Sequence, residues 1–346
     1  MNAFTHLLET LRNHAQSERE KGAYFERLVQ IYLTHEPYYA GLYGGKVWLW
    51  EAWRREWMRR GNADPGADAG IDLVAETATG ELHAIQAKFY ADDACLTLND
   101  LATFFVASGK KHFSHRLIFL TATKATTPLR EAVKNQNPPV TLVSSFDMEQ
   151  SRIDWPRLDV RAAGEAVPLK AVKTLRPYQQ KAIDDVLRGL ESAERGKLIM
   201  ACGTGKTFTT LRLAEKMVAS AGNVLFLVPS LNLMSQTLTE WTQEAETPLR
   251  CYAVCSDSQV GKRGADGDDF ALQMHDLQYP ATTNAEKLAK AFLLRRDGDA
   301  SSARNRQGSE LACYTDRQRL RRAKFLNKTL GTDSARYPTL IKYISL

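Results

Sequence analysis

Two groups of residues in this 346-residue chain have the types and spacing that chemistry on phosphates requires. The first is the run Cys202-Gly203-Thr204-Gly205-Lys206-Thr207. Its glycines let backbone N–H groups close around phosphate oxygens, and a helix starting at the lysine adds favourable partial charge. Lys206 is placed to pair with outer phosphates, and the Thr207 hydroxyl to bind Mg2+. The second group is Gly70-Ile71-Asp72-Leu73 with Gln86-Ala87-Lys88. Residues two apart on a strand share a face, so Gln86 and Lys88 point the same way across a hairpin from Asp72. Asp72 offers Mg2+ a hard anionic oxygen, and the carbonyl of Ala87 offers another. Lys88 can orient an attacking water or stabilise charge developing on phosphate. Glu26, on a helix ahead of the hairpin, is placed to complete the acidic cluster.

These residues need elements to hold them. Helical spacing of Tyr24, Phe25, Leu28, Ile31 and Tyr32 predicts a helix over 21–35. Residues 71–77 and 81–89 read as strands joined by Ala78-Thr79-Gly80, a hairpin. Beyond them 101–107 reads as helix, 116–121 as a buried strand, 128–135 as helix and 140–143 as a strand. In the second half, 197–201, 223–228 and 250–255 read as strands and 206–220 and 231–245 as helices. That alternation implies a parallel sheet with right-handed crossovers. The fold class is therefore α/β, with domains expected over 1–160 and 175–295 and a linker over 161–174. After residue 296 the periodicity stops, and an aberrant or disordered basic tail is expected over 296–346. From 295 on there are 12 Lys/Arg against 5 Asp/Glu, whereas the rest of the chain has 34 against 35, so the net charge of +6 sits in the tail.

Ahead of the phosphate loop lies Leu175-Arg176-Pro177-Tyr178-Gln179-Gln180. An amide can read the donor and acceptor edges of adenine, and an arginine or aromatic can stack on the base. Arg176, Tyr178, Gln179 and the loop together resemble the start of a superfamily-2 helicase or translocase motor, that is, part of a first RecA-like lobe. The resemblance implies ATP as ligand and, in 225–236, a motif touching the DNA backbone through Pro229 and Ser230; an ordinary strand-to-helix turn is the competing reading. Two departures stand out. Met200 replaces the glycine of the strict loop pattern, and the sequence has no Asp-Glu dipeptide of the kind such motors use to hold magnesium and activate water. Thr121-Ala122-Thr123 looks like their coupling Ser-Ala-Thr but lies upstream of the phosphate loop, in the other domain.

The first domain, with Phe25-Glu26-Arg27-Leu28, Gly70-Ile71-Asp72-Leu73 and Gln86-Ala87-Lys88, resembles the Mrr branch of PD-(D/E)XK nucleases over about 20–145. The resemblance implies a Mg2+-dependent endodeoxyribonuclease acting on double-stranded DNA. Gln86 stands where most members of the wider group carry a carboxylate, and the Mrr branch commonly has this glutamine. An Mrr-like nuclease followed by a superfamily-2 motor resembles the N-terminal arrangement of type ISP restriction-modification enzymes, about the first fifth of one. On that resemblance the function expected is a DNA-cleaving module of a restriction enzyme attached to an incomplete ATP-binding lobe. A missing motor lobe or a methyltransferase subunit is expected in trans. The competing readings are a catalytically silent fragment that at most binds DNA or ATP, and a small protein completed by a partner chain.

Composition excludes several other classes. With 44% hydrophobic and 25% charged residues the chain is ordinary globular protein. No apolar run is long enough to span a bilayer, so a cytoplasmic protein without membrane contact is expected. Five cysteines without a CxxC pair support neither a disulfide framework nor a zinc site. Three features stay open. Asp68 is a second acid or, preferably, a turn residue. Trp48, Trp50, Trp53 and Trp57 stack on bases or, preferably, fill a core. Arg54, Arg55, Arg59 and Arg60 contact phosphates or form a solvated helix face.

Overall fold

The computed structural model describes residues 3–67, 70–91, 93–122, 124–133, 136–160, 166–193, 195–218, 223–228, 230–254, 279–280, 309–314 and 343–345. The chain divides into two units, residues 1–170 with 257–280 and residues 171–256 with 281–346.

In the first unit, helix α1 (Ala3–His14) precedes α2 (Glu18–His35), whose start is capped by the Ser17 hydroxyl accepting the N–H of Glu20. Short α3 (Pro37–Tyr43) leads to β1 (Val47–Leu49) and α4 (Trp50–Arg59). The predicted hairpin follows as β2 (Leu73–Glu76) and β3 (Leu82–Lys88). It pairs antiparallel with Leu73 opposite Ile85. Next come β4 (Cys95–Leu96), α5 (Asn99–Ser108), β5 (Phe113–Leu120), β6 (Lys124–Ala125), α6 (Thr127–Val133), β7 (Val140–Ser144) and α7 (Ser145–Glu149). The main sheet has the order β1-β2-β3-β5-β7. β2 and β3 are antiparallel across a short turn, and β1, followed by α4, pairs antiparallel with β2; β3, β5 and β7 are parallel because α5 and α6 cross between them.

One face of this sheet packs Leu82, Ala84, Ile118 and Leu120 against Trp50, Trp53, Leu101 and Phe104. Trp48 and Trp57 lie against the same core, so the tryptophans take the packing role rather than a free base-stacking one. On the other face, Tyr32 meets Phe119 edge-on and Phe25 stacks on Phe89 at 5.0 Å. Part of the expected linker returns to this unit: the Asp154 N–H donates to Pro168 O, and Leu169 bridges to Ile153.

The second unit contains α8 (Pro177–Ser192), α9 (Lys206–Val218), β8 (Asn223–Leu227), α10 (Leu231–Glu244) and β9 (Leu249–Val254). Two further strands, β10 (Ser309–Tyr314) and β11 (Tyr343–Ser345), complete a parallel sheet of order β11-β8-β10-β9. These nine residues fall inside the expected irregular tail, and the structure differs there. Leu311-Ala312-Cys313-Tyr314 is a short continuous apolar run, the signature of a parallel strand flanked on both edges, too brief to show as a period. The expected strand over 197–201 is also corrected: it forms no ladder, and Ile199 is 89% exposed. The apolar run Leu198-Ile199-Met200-Ala201 imitates a strand but pairs with none among the described residues. Asp68, Thr123, Pro229 and Cys255 lie outside the described residues.

Candidate functional site

The hairpin builds the first site from its backbone outward. Asp72 precedes β2, its N–H donating to Ile85 O at 3.0 Å and its carbonyl accepting the Trp50 N–H at 2.9 Å. Its carboxylate oxygen Oδ2 accepts the N–H of Ala87 at 2.7 Å, so the side chain takes over a ladder bond where the strand ends. Extending the register places Asp72 opposite Gln86. Gln86 is 2% exposed; its Nε2 donates to Gly70 O at 2.9 Å, while its Oε1 is buried with no hydrogen-bond partner among the described residues. A buried acceptor left unpaired costs about 1–3 kcal/mol and marks a place where a donor or cation belongs.

Gly70 sets this geometry. Its φ is +97°, and a Cβ there would lie 2.8 Å from Thr103 Oγ1 and 3.1 Å from Phe104 N on α5. Only glycine allows the backbone this close to the helix. Lys88 ends β3 on the face of Gln86, opposite Leu120 in the parallel ladder. Glu26 follows Phe25, whose ring stacks on Phe89 next to Lys88, so helix α2 brings this turn alongside the strand end. Asp72, Gln86, Ala87 and Lys88 are thus joined through the hairpin, whereas the ring contact of Phe25 brings the α2 turn of Glu26 to Phe89, on the other face of the sheet. Among the described residues there is no group of three or more His, Cys, Asp or Glu able to hold a metal. The donors the hairpin itself offers a cation are the Asp72 carboxylate, the Gln86 amide oxygen and main-chain carbonyls. Such hard oxygens suit Mg2+ or Mn2+, so the residues present fit.

Sequence reasoning missed Asp100 beside this site. Its Oδ2 accepts the N–H and the hydroxyl of Thr97 at 2.7 and 2.6 Å, and its Oδ1 accepts the Tyr90 hydroxyl at 3.0 Å. The Thr97 hydroxyl bond above all, with the neighbouring Lys88 charge assisting, holds its carboxyl below the usual range. A Thr-x-x-Asp spacing at the start of a helix was the available signal.

Three of the four arginines over 54–60 are held by acids, and Arg55 is exposed. Arg54 grips Asp64 with two bonds of 2.7 and 2.6 Å, Arg59 grips Glu56 with two, and Arg60 bridges Glu56 and Glu76. The bonds from Arg59 first, then Arg60, hold Glu56 down to about 2. Burial pushes Glu76 up, but bonds from Lys46 and Arg60 prevail and keep it below its usual value. Arg54, Arg59 and Arg60 thus form an ion-paired surface, which favours the solvated-face reading for these three.

In the second unit, Gly203 and Gly205 take φ of +76° and +77°, and α9 begins at Lys206, the arrangement that points N–H groups into a loop. Gln179 is 4% exposed and has both amide atoms engaged: Oε1 accepts the Arg176 N–H at 2.9 Å, and Nε2 donates to Thr204 O at 3.0 Å. The Tyr178 hydroxyl donates to the same carbonyl at 3.1 Å. These residues therefore hold the loop, whereas the sequence suggested that Gln179 reads adenine. The ammonium of Lys206 donates to the carbonyls of Met200 and Ala201 at 3.4 and 3.3 Å. Thr207 is buried and its carbonyl accepts the Trp241 indole N–H at 3.0 Å, fixing α9 to α10. Ser230 caps α10, its hydroxyl accepting the Leu233 N–H.

Residues 34–165 match the family Mrr_cat_2, described as restriction endonuclease, and residues 172–278 match ResIII, described as type III restriction enzyme, res subunit. The matched residues are an Mrr-like restriction endonuclease domain followed by a ResIII helicase region. The first match takes in Asp72, Gln86 and Lys88 and begins after Glu26; the second takes in Arg176 to Thr207. The mixed and parallel sheets agree with that order. The chain is also similar in structure to the ATP-dependent type ISP restriction-modification enzyme LlaBIII bound to DNA, with TM-score 0.69 and 29% identity, covering 91% of this chain and 18% of that one. A nuclease-deletion mutant of the type ISP enzyme LlaGI, in complex with a DNA substrate mimic, is 32% identical, with TM-score 0.32 and coverage of 41% and 13%. A protein of Acanthamoeba polyphaga mimivirus named for an ATP-dependent RNA helicase, L396, is 37% identical over 65 residues, 19% of this chain and 12% of its own length. The chain thus spans under a fifth of each relative. No described helix is long and apolar enough to cross a membrane.

Proposed function

We propose that the first unit is a Mg2+-dependent endonuclease module acting on double-stranded DNA in a restriction system, and that the second binds ATP as part of a helicase or translocase motor. The observation that carries the nuclease reading is the orphaned Oε1 of Gln86 beside the Asp72 carboxylate and at the foot of Lys88. Asp72, Gln86, the carbonyl of Ala87 and Glu26 would hold the ion. Bound there, a divalent cation supplies charge neutralisation at the scissile phosphate and a more acidic water. The chain's own contribution is positional. Asp72 is fixed by the Ala87 N–H, Gln86 by Gly70, and Lys88 brings an ammonium to the strand end to meet charge that grows during the reaction.

For the second unit we propose that Gly203, Thr204, Gly205, Lys206 and Thr207 receive the phosphates, with the Thr207 hydroxyl on Mg2+ and Arg176 and Tyr178 beside the base. Lys206 then exchanges its two carbonyl bonds for phosphate oxygens, a stronger charge-assisted pairing. The domain boundaries proposed are 1–160 and 175–295.

The test separates binding from chemistry. Lys88→Ala should bind duplex DNA and Mn2+ as the unaltered chain does while losing nicking of plasmid DNA. Full cleavage by Lys88→Ala would remove the lysine from the site; loss of DNA binding together with cleavage would assign it to affinity instead.

A further inference from the structure

β3 ends at Lys88, yet the two residues beyond it are held as firmly as the strand itself. The carbonyl of Lys88 accepts the N–H of Thr121 at 3.2 Å. Two residues on, the carbonyl of Tyr90 accepts both the Thr121 hydroxyl and Arg12 Nη2, each at 2.6 Å. Thr121, fully buried, therefore continues the β3–β5 ladder with its side chain where the backbone ladder stops. Arg12 also lies over the Phe89 ring at 4.8 Å, and that ring stacks on Phe25 from its α2 side. From the opposite direction the Tyr90 hydroxyl donates to Asp100, whose other oxygen is pinned by Thr97. Four elements besides β3 thus converge on residues 88–90: α1, α2, the end of β5 and the start of α5.

We propose that Thr121, Arg12, Tyr90 and Asp100 form a latch that fixes the end of β3 and thereby positions the Lys88 ammonium for DNA cleavage; the proposal rests on the nuclease reading above. Strand ends without ladder bonds fray, and a catalytic group displaced by about 1 Å can lose about 100-fold in rate. Every bond of the latch acts on the backbone carrying Lys88 or on the ring two residues further along. The Asp100 carboxylate adds a direct pull, since it lies close enough to the Lys88 charge to feel it. The Tyr90 hydroxyl, pushed up to about 12 by burial and by its bond to Asp100, stays protonated and remains a donor. Thr121, the first residue of a triplet that resembles a motor motif in the wrong domain, thereby acquires a role where it stands.

Single-turnover cleavage of plasmid DNA by the full chain, with Mg2+ or Mn2+, tests the latch in three variants. Thr121→Val removes the hydroxyl at nearly constant volume and should slow cleavage about 10- to 100-fold while DNA affinity in EDTA is unchanged. Thr121→Ser restores the hydroxyl and should recover the rate to within about threefold, which a purely volume-dependent role would not produce. Tyr90→Phe, which alters no buried volume, should slow cleavage about three- to tenfold. Wild-type rates in both Thr121→Val and Tyr90→Phe would overturn the latch, as would failure of serine to restore what valine removes. The parent reading fails separately: an inert wild-type chain, or a Lys88→Ala variant cleaving at the wild-type rate, overturns the site and the latch with it.

Discussion

Gly70→Ala tests the physical argument that a single glycine places the hairpin site. The added methyl meets two penalties. At φ of +97° an L residue is strained, and its Cβ would stand 2.8 Å from Thr103 Oγ1 and 3.1 Å from the backbone N of Phe104. Backbone strain of this kind costs about 1–3 kcal/mol, and overpacking against a fixed helix about 1–3 more. Reduced freedom of the unfolded chain returns about 0.4–1 kcal/mol. The expected net loss is about 2–4 kcal/mol, read from urea unfolding followed by tryptophan fluorescence, in which Trp50 and Trp53 report on the affected core. Gly66→Ala is the control, because Gly66 has φ of +94° with nothing within 4 Å of its Cβ. It should lose only the strain, so the difference between the two variants measures the close approach to α5. Cleavage should fall in Gly70→Ala as well, since the carbonyl that holds Gln86 moves. Equal stabilities for the two alanine variants would refute the reasoning.

Gln179→Ala unties the Thr204 carbonyl and the Arg176 N–H together, and should weaken binding of a fluorescent ATP analogue about tenfold, or ~1.4 kcal/mol; unchanged affinity would return the amide to a surface role. Arg54→Ala and Arg59→Ala should leave DNA affinity and its salt slope unchanged, because both cations are already neutralised by Asp64 and Glu56; a slope reduced by about one per variant would restore the stripe as a phosphate contact. Asp100 is held below its usual value, so its contribution is present above about pH 4 and lost as pH falls through the lowered value. Tyr90 is raised to about 12, so its contribution is present below about pH 10 and lost on approach to 12. The stability difference between wild type and Tyr90→Phe should therefore be flat from about pH 5 to 9 in urea titrations; a difference that collapses within that range would break the Tyr90–Asp100 assignment.

What the sequence disclosed follows from how local each signal is. The hairpin was legible because alternation, a glycine turn and flanking breakers all fall within twenty residues, and the register then brought Asp72 opposite Gln86. Helices α2, α9 and α10 were legible for the same reason, each carrying its own period. Residues 197–201 misled because four apolar residues imitate a strand, while strand pairing depends on a neighbour that composition does not encode. β10 was overlooked for the converse reason: its four apolar residues sit among charges, and its place between β8 and β9 is a long-range fact. Contacts across tens of residues were out of reach altogether. Arg12 meets Tyr90 from 78 positions away, and Thr121 meets it from 31. Arg54 and Arg60 looked available because two of their acids, Asp64 and Glu76, lie beyond the helix.

The central claim is that the Asp72 carboxylate, held by the Ala87 N–H beside the unpaired Gln86 oxygen, anchors the ion for DNA cleavage. It is tested most directly by nicking of supercoiled plasmid by the whole chain and by Asp72→Ala, each with Mg2+, with Mn2+ and with EDTA. The account predicts nicking by the unaltered chain with either metal, none with EDTA, and none by Asp72→Ala under any of the three conditions. Nicking by Asp72→Ala at the rate of the unaltered chain would contradict it.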